Sequence, residues 1–260
     1  MATTKSTKNV PAKRPTTAVA NYEERLAAKA AAAVQSEANV GGGSFISVKG
    51  GHLTYQGNTI KGNELDVVVL AAIHENCYYG DRYDPDNPQP PLCYAFGTDD
   101  SEMAPHPESS EPQHDTCKGC PNNEFGTADN GKGKACKNIR RLALLPGDPL
   151  NEETIQSAEL AFLKVPVTSV KGWASFVKTV ATLEKLPPYG VITRIGVIPD
   201  QKTQFKVTFQ KEGNVDRELL PLVDQRSETA EQEVAFPYAK PSEEEKKPTR
   251  KAAPAKKRKF

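Results

Sequence analysis

The chain has 260 residues, 37% of them hydrophobic, enough for one ordinary core with tails and a small satellite unit. No apolar run approaches the roughly eighteen residues of a membrane span. The start Met1-Ala-Thr-Thr-Lys5 has no signal-peptide apolar region, so a cytoplasmic protein with no membrane partner is expected. The formal charge of +1 hides segregation: residues 1–40 hold six Lys and Arg against three acids and residues 241–260 eight against three, which leaves 41–240 at −7. A nucleic-acid surface can therefore exist only as a local patch.

In chain order, residues 1–43 read as a disordered arm. Within it, Asn21-Tyr-Glu-Glu24 offers a cap and a reaching-back Glu before an Ala-rich helix over 25–38, which Gly41-Gly-Gly43 ends. From 44 to 238 short β segments dominate. Phe45–Val48 and His52–Tyr55 form a small hairpin, and Leu65–Tyr79 is a long Val- and aromatic-rich run. A Pro-rich loop at 84–91 leads to a strand at Leu92–Gly97, and an excursion over about 98–136 follows. It is acidic over 99–115, where Asp99, Asp100, Glu102, Glu108, Glu111 and Asp115 meet no Lys or Arg. Cys136–Leu145 and Glu159–Val167 return to strand. Ser169–Leu186 is the one strong core helix, with Val170, Trp173, Val177, Val180 and Leu183 at helical spacing, and Pro187-Pro188 stops it. Trp173 is expected in the core. Val191–Ile198 and Phe205–Phe209 flank the turn Pro199–Thr203 as a hairpin. Residues 239–260 are an acidic-then-basic tail, too charged and Pro-rich to fold alone.

Cysteine usage is the sharpest chemical signal. Cys117 and Cys120 are separated by two residues, so two thiolates from one tight turn can reach the same tetrahedral ion, and Cys93 and Cys136 on flanking strands can close the shell. One structural zinc on Cys93, Cys117, Cys120 and Cys136 is expected, with His114 as substitute ligand if Cys93 points away. Cys77 is left as a buried free thiol. Beside these cysteines, glycines let the backbone approach a ligand, while Lys132, Lys134, Lys137, Arg140 and Arg141 supply positive charge.

Three strands, a helix and a two-strand hairpin are the order of an OB-fold, a five-stranded Greek-key barrel that binds single-stranded nucleic acid or sugars. The expected class is thus mainly β (α+β), an OB-like barrel with a zinc-binding insertion, extra N-terminal strands and one core helix. The barrel's usual cleft maps to 80–91, Cys93–Gly97, Cys136–Leu144 and Pro199–Gln204. Tyr78, Tyr79, Tyr83, Tyr94 and Phe96 cluster around the first of these loops and are candidates to stack on bases. Lys134, Lys137, Arg140, Arg194 and Lys206 are candidates to track phosphates. Tyr94 and Phe96, two apart, share a strand face. The plainer alternative makes that face core. Arg140 and Arg141 alternate, so only one looks into the cleft.

Three segments carry a family resemblance: Cys117-Lys-Gly-Cys-Pro-Asn-Asn-Glu-Phe-Gly126 running on to Gly131-Lys-Gly-Lys-Ala-Cys-Lys-Asn-Ile-Arg-Arg141, Asp84-Pro-Asp-Asn-Pro-Gln-Pro-Pro91, and Phe162-Leu-Lys-Val-Pro-Val167. Over about 21–240 the chain resembles a family of tailed-bacteriophage proteins associated with single-stranded-DNA binding in replication. The resemblance implies an OB-type DNA-binding domain with a zinc-stabilised insertion, acting in the cytoplasm of an infected bacterium during replication and recombination. Many single-stranded-DNA-binding proteins end in an acidic tail with a terminal Phe that recruits partners. Here Phe260 follows Lys256-Lys-Arg-Lys259, so docking of phage or host replication proteins through the tail departs from that pattern.

Rival readings are weaker. His106-Pro-Glu108 before Cys117 and Cys120 mimics a zinc-deaminase signature, but the gap is short, Thr116 stands where Pro belongs, and four thiolates leave no open position. Gly131-Lys-Gly-Lys134 lacks the spacing of a phosphate-binding loop. No Ser/His/Asp constellation appears, and an enzyme is not expected. The non-enzymatic alternative is a zinc-ribbon module that binds host transcription or replication machinery, with the acidic loop making protein contacts.

Overall fold

The computed structural model describes residues 45–80 and 89–238, together with the helical residues Tyr22, Arg25, Leu26 and Lys29. The chain divides into two units, 1–43 and 44–260. The rest of the expected arm, residues 81–88 with Tyr83, and the tail from 239 lie outside the described residues. The second unit contains β1 (Phe45–Lys49), β2 (His52–Tyr55), β3 (Asn58–Thr59), β4 (Glu64–Tyr78), β5 (Cys93–Gly97), β6 (Lys137–Pro146), β7 (Ala161–Val165), β8 (Val191–Asp200) and β9 (Gln204–Asn214). Its helices are α1 (Glu152–Ser157), α2 (Val167–Leu183) and α3 (Leu220–Glu233). Among the described residues no helix is long and apolar enough to cross a membrane.

The strands form one strongly curled, half-barrel sheet in the order β3-β2-β1-β7-β6-β4-β8-β9, with β5 also paired to β4. The long β4 is its spine. One edge of β4 pairs with β6 from Val67 to Cys77, while the other is shared, Glu64–Val67 with β8 and His74–Tyr78 with β5. A bulge between Val69 and Ala71 lets Leu70 and Ala71 face the same side.

Both faces are buried, which is why β4, β6 and β7 read as unbroken apolar runs instead of alternating ones. On one face Val67, Val69, Leu142, Leu144, Leu163 and Val165 pack with Trp173, Phe176 and Val180 of α2 and with β8 and β9. Trp173, 4% exposed, is a core residue. On the other face Val68, Leu70, Ile73, Ala143 and Leu145 pack against Ile155 of α1 and against Val223, Ala230 and Val234 in and after α3.

One expectation needs correcting. The core holds more than one helix. The buried stripe of α3 is Val223, Ser227 and Ala230, small and partly polar, so its periodicity was faint, although Pro221 in its first turn suits a helix start. The short α1 is capped by Asn151, whose side chain accepts from the Thr154 amide at 2.8 Å. The curled sheet is a half-barrel whose two edges do not pair with each other among the described residues. The far edge of β7 takes β1 in parallel, Phe45 opposite Phe162 and Ile46 opposite Leu163, and among the described residues β9 pairs only with β8. The Val207 amide of β9 instead donates to Ser169 Oγ in the first turn of α2, 2.9 Å away.

One glycine holds the end of β6 against the start of β4. The Gly147 amide donates to the Asp66 carbonyl at 2.9 Å, and a Cβ there would sit 2.9–3.0 Å from Asp66 and Val67 backbone atoms. Gly147→Ala is expected to destabilise the fold by about 1–3 kcal/mol, because backbone cannot step aside as a side chain can. Urea unfolding should show a lower midpoint with unchanged slope, and an unchanged midpoint would refute this close approach.

Candidate nucleic-acid interface and cysteine cavity

The excursion between β5 and β6 is stitched to the sheet by its backbone. The amides of His106 and Glu111 donate to the carbonyls of Tyr94 and Leu92, and Ser109 Oγ both accepts from the Tyr94 amide and donates to its carbonyl. The acidic segment thereby covers the outer edge of β5, which would otherwise present unpaired strand groups. Asp100 pairs with His74 of β4.

This packing brings Cys93, Cys117, Cys120 and Cys136 to one cavity, whose walls also include Asn76, Tyr78, His114 and Asn122. Cys93 opens β5. Cys117 and Cys120 bracket a turn in which Gly119 takes the left-handed conformation, φ 81°, that a side chain would strain. Cys136 enters β6, and its amide donates to the Asn122 carbonyl at 2.8 Å, while the Asn123 side chain donates to the Cys117 carbonyl at 2.9 Å. None of the cysteines is in a disulfide. Burial and neighbouring thiols push the Cys136 thiol up to about 12, and the same causes raise Cys93 and Cys117. Among the described residues, no group of three or more His, Cys, Asp or Glu side chains is arranged to hold a metal ion. The donor chemistry nevertheless fits one: four free thiols share a cavity in a loop with little core of its own beyond Ala95, Met103 and Cys117. Cys77 lies elsewhere, buried against Glu75 and Tyr238.

The predicted stacking face is covered. Tyr94 is 3% exposed, its ring stacked 5.0 Å from His106 and set edge-on to Tyr238 at 4.9 Å. Phe96 shares its face, as the alternation predicted, and packs 4.3 Å from the Arg141 guanidinium. Arg141 holds the centre of this layer. It forms a two-pronged pair with Glu75 at 2.7 and 2.9 Å and donates to the carbonyls of Val234 and Phe236 at 3.2 and 2.8 Å. Tyr238 donates its hydroxyl to Glu75 and accepts from Lys164 at 2.6 Å. The segment Val234–Tyr238 therefore lies over the rings that sequence alone offered to bases. Tyr79 joins this network half-buried, its hydroxyl pushed up by burial and by Cys77, while Tyr78 lines the cysteine cavity.

The predicted cations separate into two groups. Arg194 is held by carboxylates, at 2.8 Å by Asp66 and 3.3 Å by Glu212, and Lys206 lies 2.6 Å from Asp200. These hairpin cations are already matched by acids, which does not suit a phosphate track. Lys134, Lys137 and half-buried Arg140 belong to the insertion and to β6. Lys134 Nζ contacts Asn123 Oδ1 at 3.2 Å, and exposed Lys137 donates to the Lys134 carbonyl. Lys118 and Lys132 are exposed on the same loop. Sequence reading passed over Phe125, which is 80% exposed with Lys134 above its ring at 5.2 Å. A phenylalanine inside a run of Asn, Glu, Gly and Thr, far from any apolar partner in sequence, was the available signal.

No protein-family profile, curated protein or solved structure matches this chain.

Proposed function

We propose that this chain is a single-stranded-DNA-binding protein of the phage type it resembles, built on an opened OB-type barrel with one structural zinc. The observation that carries the reading is strand order. The run β7-β6-β4-β8-β9, with α2 between β7 and β8, is the third-second-first-fourth-fifth order of an OB sheet, and the added β1 occupies the seam where third and fifth would meet. In this reading Cys93, Cys117, Cys120 and Cys136 would hold the zinc, which supplies a fixed tetrahedral anchor for the insertion and no open coordination position. The contact surface is then the insertion with the start of β6, where Lys118, Lys132, Lys134, Lys137 and Arg140 lie, in place of the Tyr94 face. Such a chain coats single strands in the host cytoplasm during replication and recombination, and its tail offers a contact for replication proteins.

The test compares oligo-dT with duplex of equal charge, using the full chain and a variant lacking 241–260, because eight tail cations bind any polyanion. Both proteins are expected to prefer oligo-dT, with log affinity falling against log salt by about 0.7 per phosphate contact. Lys134→Ala with Lys137→Ala should flatten that slope. Equal binding to single strand and duplex by the truncated variant would sink the reading and favour a zinc-ribbon module that docks host machinery.

A further inference from the structure

Exposing a phenylalanine keeps a large apolar surface in water, and a loop free to move would bury it. The loop around Phe125 is held in place. Gly126 and Ala128 amides both donate to the Gly133 carbonyl, at 2.9 and 3.1 Å, and Thr127 Oγ1 donates to the Glu124 carbonyl at 2.7 Å and accepts from the Ala135 amide at 2.9 Å. Bonds on both sides of Phe125 thus fix the backbone from which the ring projects. One end of the loop follows Cys120, and the other is tied down by the Cys136 amide on Asn122.

One cation sits on the ring. Lys134 Nζ lies 5.2 Å from its centroid and is steadied by Asn123 Oδ1 at 3.2 Å, while exposed Lys118 and Lys132 of the insertion and Lys137 at the start of β6 add positive charge against exposed Glu124 and Asp129. An ammonium over one side of a ring that remains 80% exposed leaves π surface open beside positive charge. That combination matches a nucleotide, whose base needs a flat apolar face and whose phosphate needs a cation close by.

We propose that Phe125 is the base-stacking residue of this protein, taking an unstacked base of single-stranded DNA while Lys134 takes the adjoining phosphate. The inference rests on the single-strand-binding reading and relocates its stacking contact from Tyr94 and Phe96 to the cysteine-anchored loop. The protein then grips DNA by the insertion, and the face beneath Val234–Tyr238 stays closed during binding.

The experiment measures affinity of the full chain and of Phe125→Ala for three ligands of equal charge: oligo-dT, an abasic strand of the same length, and a duplex of half that length. Tail cations contribute alike to oligo-dT and the abasic strand, so the ratio of those two isolates the base contact. The wild type is expected to prefer oligo-dT over the abasic strand by roughly tenfold or more, the range for one base–aromatic stack. Phe125→Ala should erase that ratio and leave abasic binding and the urea midpoint unchanged. Phe125→Trp should restore it, with indole emission quenched by oligo-dT. If Phe125→Ala keeps the wild-type ratio, another ring stacks and this inference fails while single-strand binding stands. Equal weakening on oligo-dT and the abasic strand likewise overturns it, by reducing Phe125 to a structural role. A wild type that shows no preference for oligo-dT over either of the other strands removes the reading underneath as well.

Discussion

Arg141→Met is expected to cost about 3–5 kcal/mol of stability, the range for removing one partner of a buried charge pair. Glu75 is 0% exposed and Arg141 1%, so neither charge reaches water once its partner is gone. The variant also strands the carbonyls of Val234 and Phe236, which accept from Arg141 Nη1, and empties the space between the Phe96 and Phe236 rings, 4.3 and 4.6 Å from the guanidinium. Lys164, 3.5 Å from Glu75, offsets only part of the loss, being itself partly exposed. The pH dependence separates this account from simple loss of packing. In the wild type, burial pushes the Glu75 carboxyl up, but the Arg141 hydrogen bonds and the Lys164 and Arg141 charges outweigh it, and the net shift is downward. A lowered folded value contributes stability that is present above the ordinary glutamate value and lost as pH falls through the folded one. In Arg141→Met burial is less opposed, the carboxyl rises, and the variant should recover part of its deficit between pH 7 and 5. Urea unfolding at the two pH values measures both effects, and proteolysis should reach residues 234–238 first. A deficit below about 1 kcal/mol, or one that does not change with pH, would show that the pair is not the fastening described here.

The same residues show why some of the molecule could be read from its sequence and some could not. Strands β4, β6 and β7 are legible because a sheet buried on both faces demands consecutive Val, Leu and Ala, and α2 is legible because Val170, Trp173, Val177 and Val180 recur at helical spacing, although Leu183 of the same stripe is exposed and Phe176 takes a core place instead. The four cysteines line one cavity. Alternation placed Tyr94 with Phe96 and set Arg140 apart from Arg141. It could not say what covers a face, because the cover over Tyr94 is supplied by His106 from the insertion and by Tyr238 from the far end of the domain. Arg194 read as a phosphate ligand for a similar reason, since Asp66, the acid that takes it, lies 128 residues away in sequence. Helix α3 escaped because Ser227 and Ala230 fill a shallow contact where larger side chains would have announced a stripe. Local pattern fixes direction and period, whereas occupancy of a face is a long-range fact.

Purified without chelator, the chain is expected to carry one zinc, and replacing any one of Cys93, Cys117, Cys120 and Cys136 by Ser should abolish stoichiometric metal. Cys77→Ser should keep it, because Cys77 faces Glu75 and Tyr238 and does not line the shared cavity. Structural zinc in small peptides is worth on the order of 10 kcal/mol, because there the metal is nearly the whole core. Here the insertion hangs from a sheet with two cores of its own, so the loss should be local: hydrogen exchange should quicken over 98–136 and the first residues of β6, while the amides around Val67, Leu142 and Leu163 keep their protection. The affected loop carries Phe125 and the exposed lysines, so Cys120→Ser should bind oligo-dT more weakly than the wild type without a comparable fall in global urea stability. Elemental analysis of the wild type decides the first point. A metal-free protein with 98–136 fully protected would mean that the backbone bonds to Tyr94, Leu92 and Gly133 hold the insertion by themselves, and that the four thiols are core residues of an unusually polar loop.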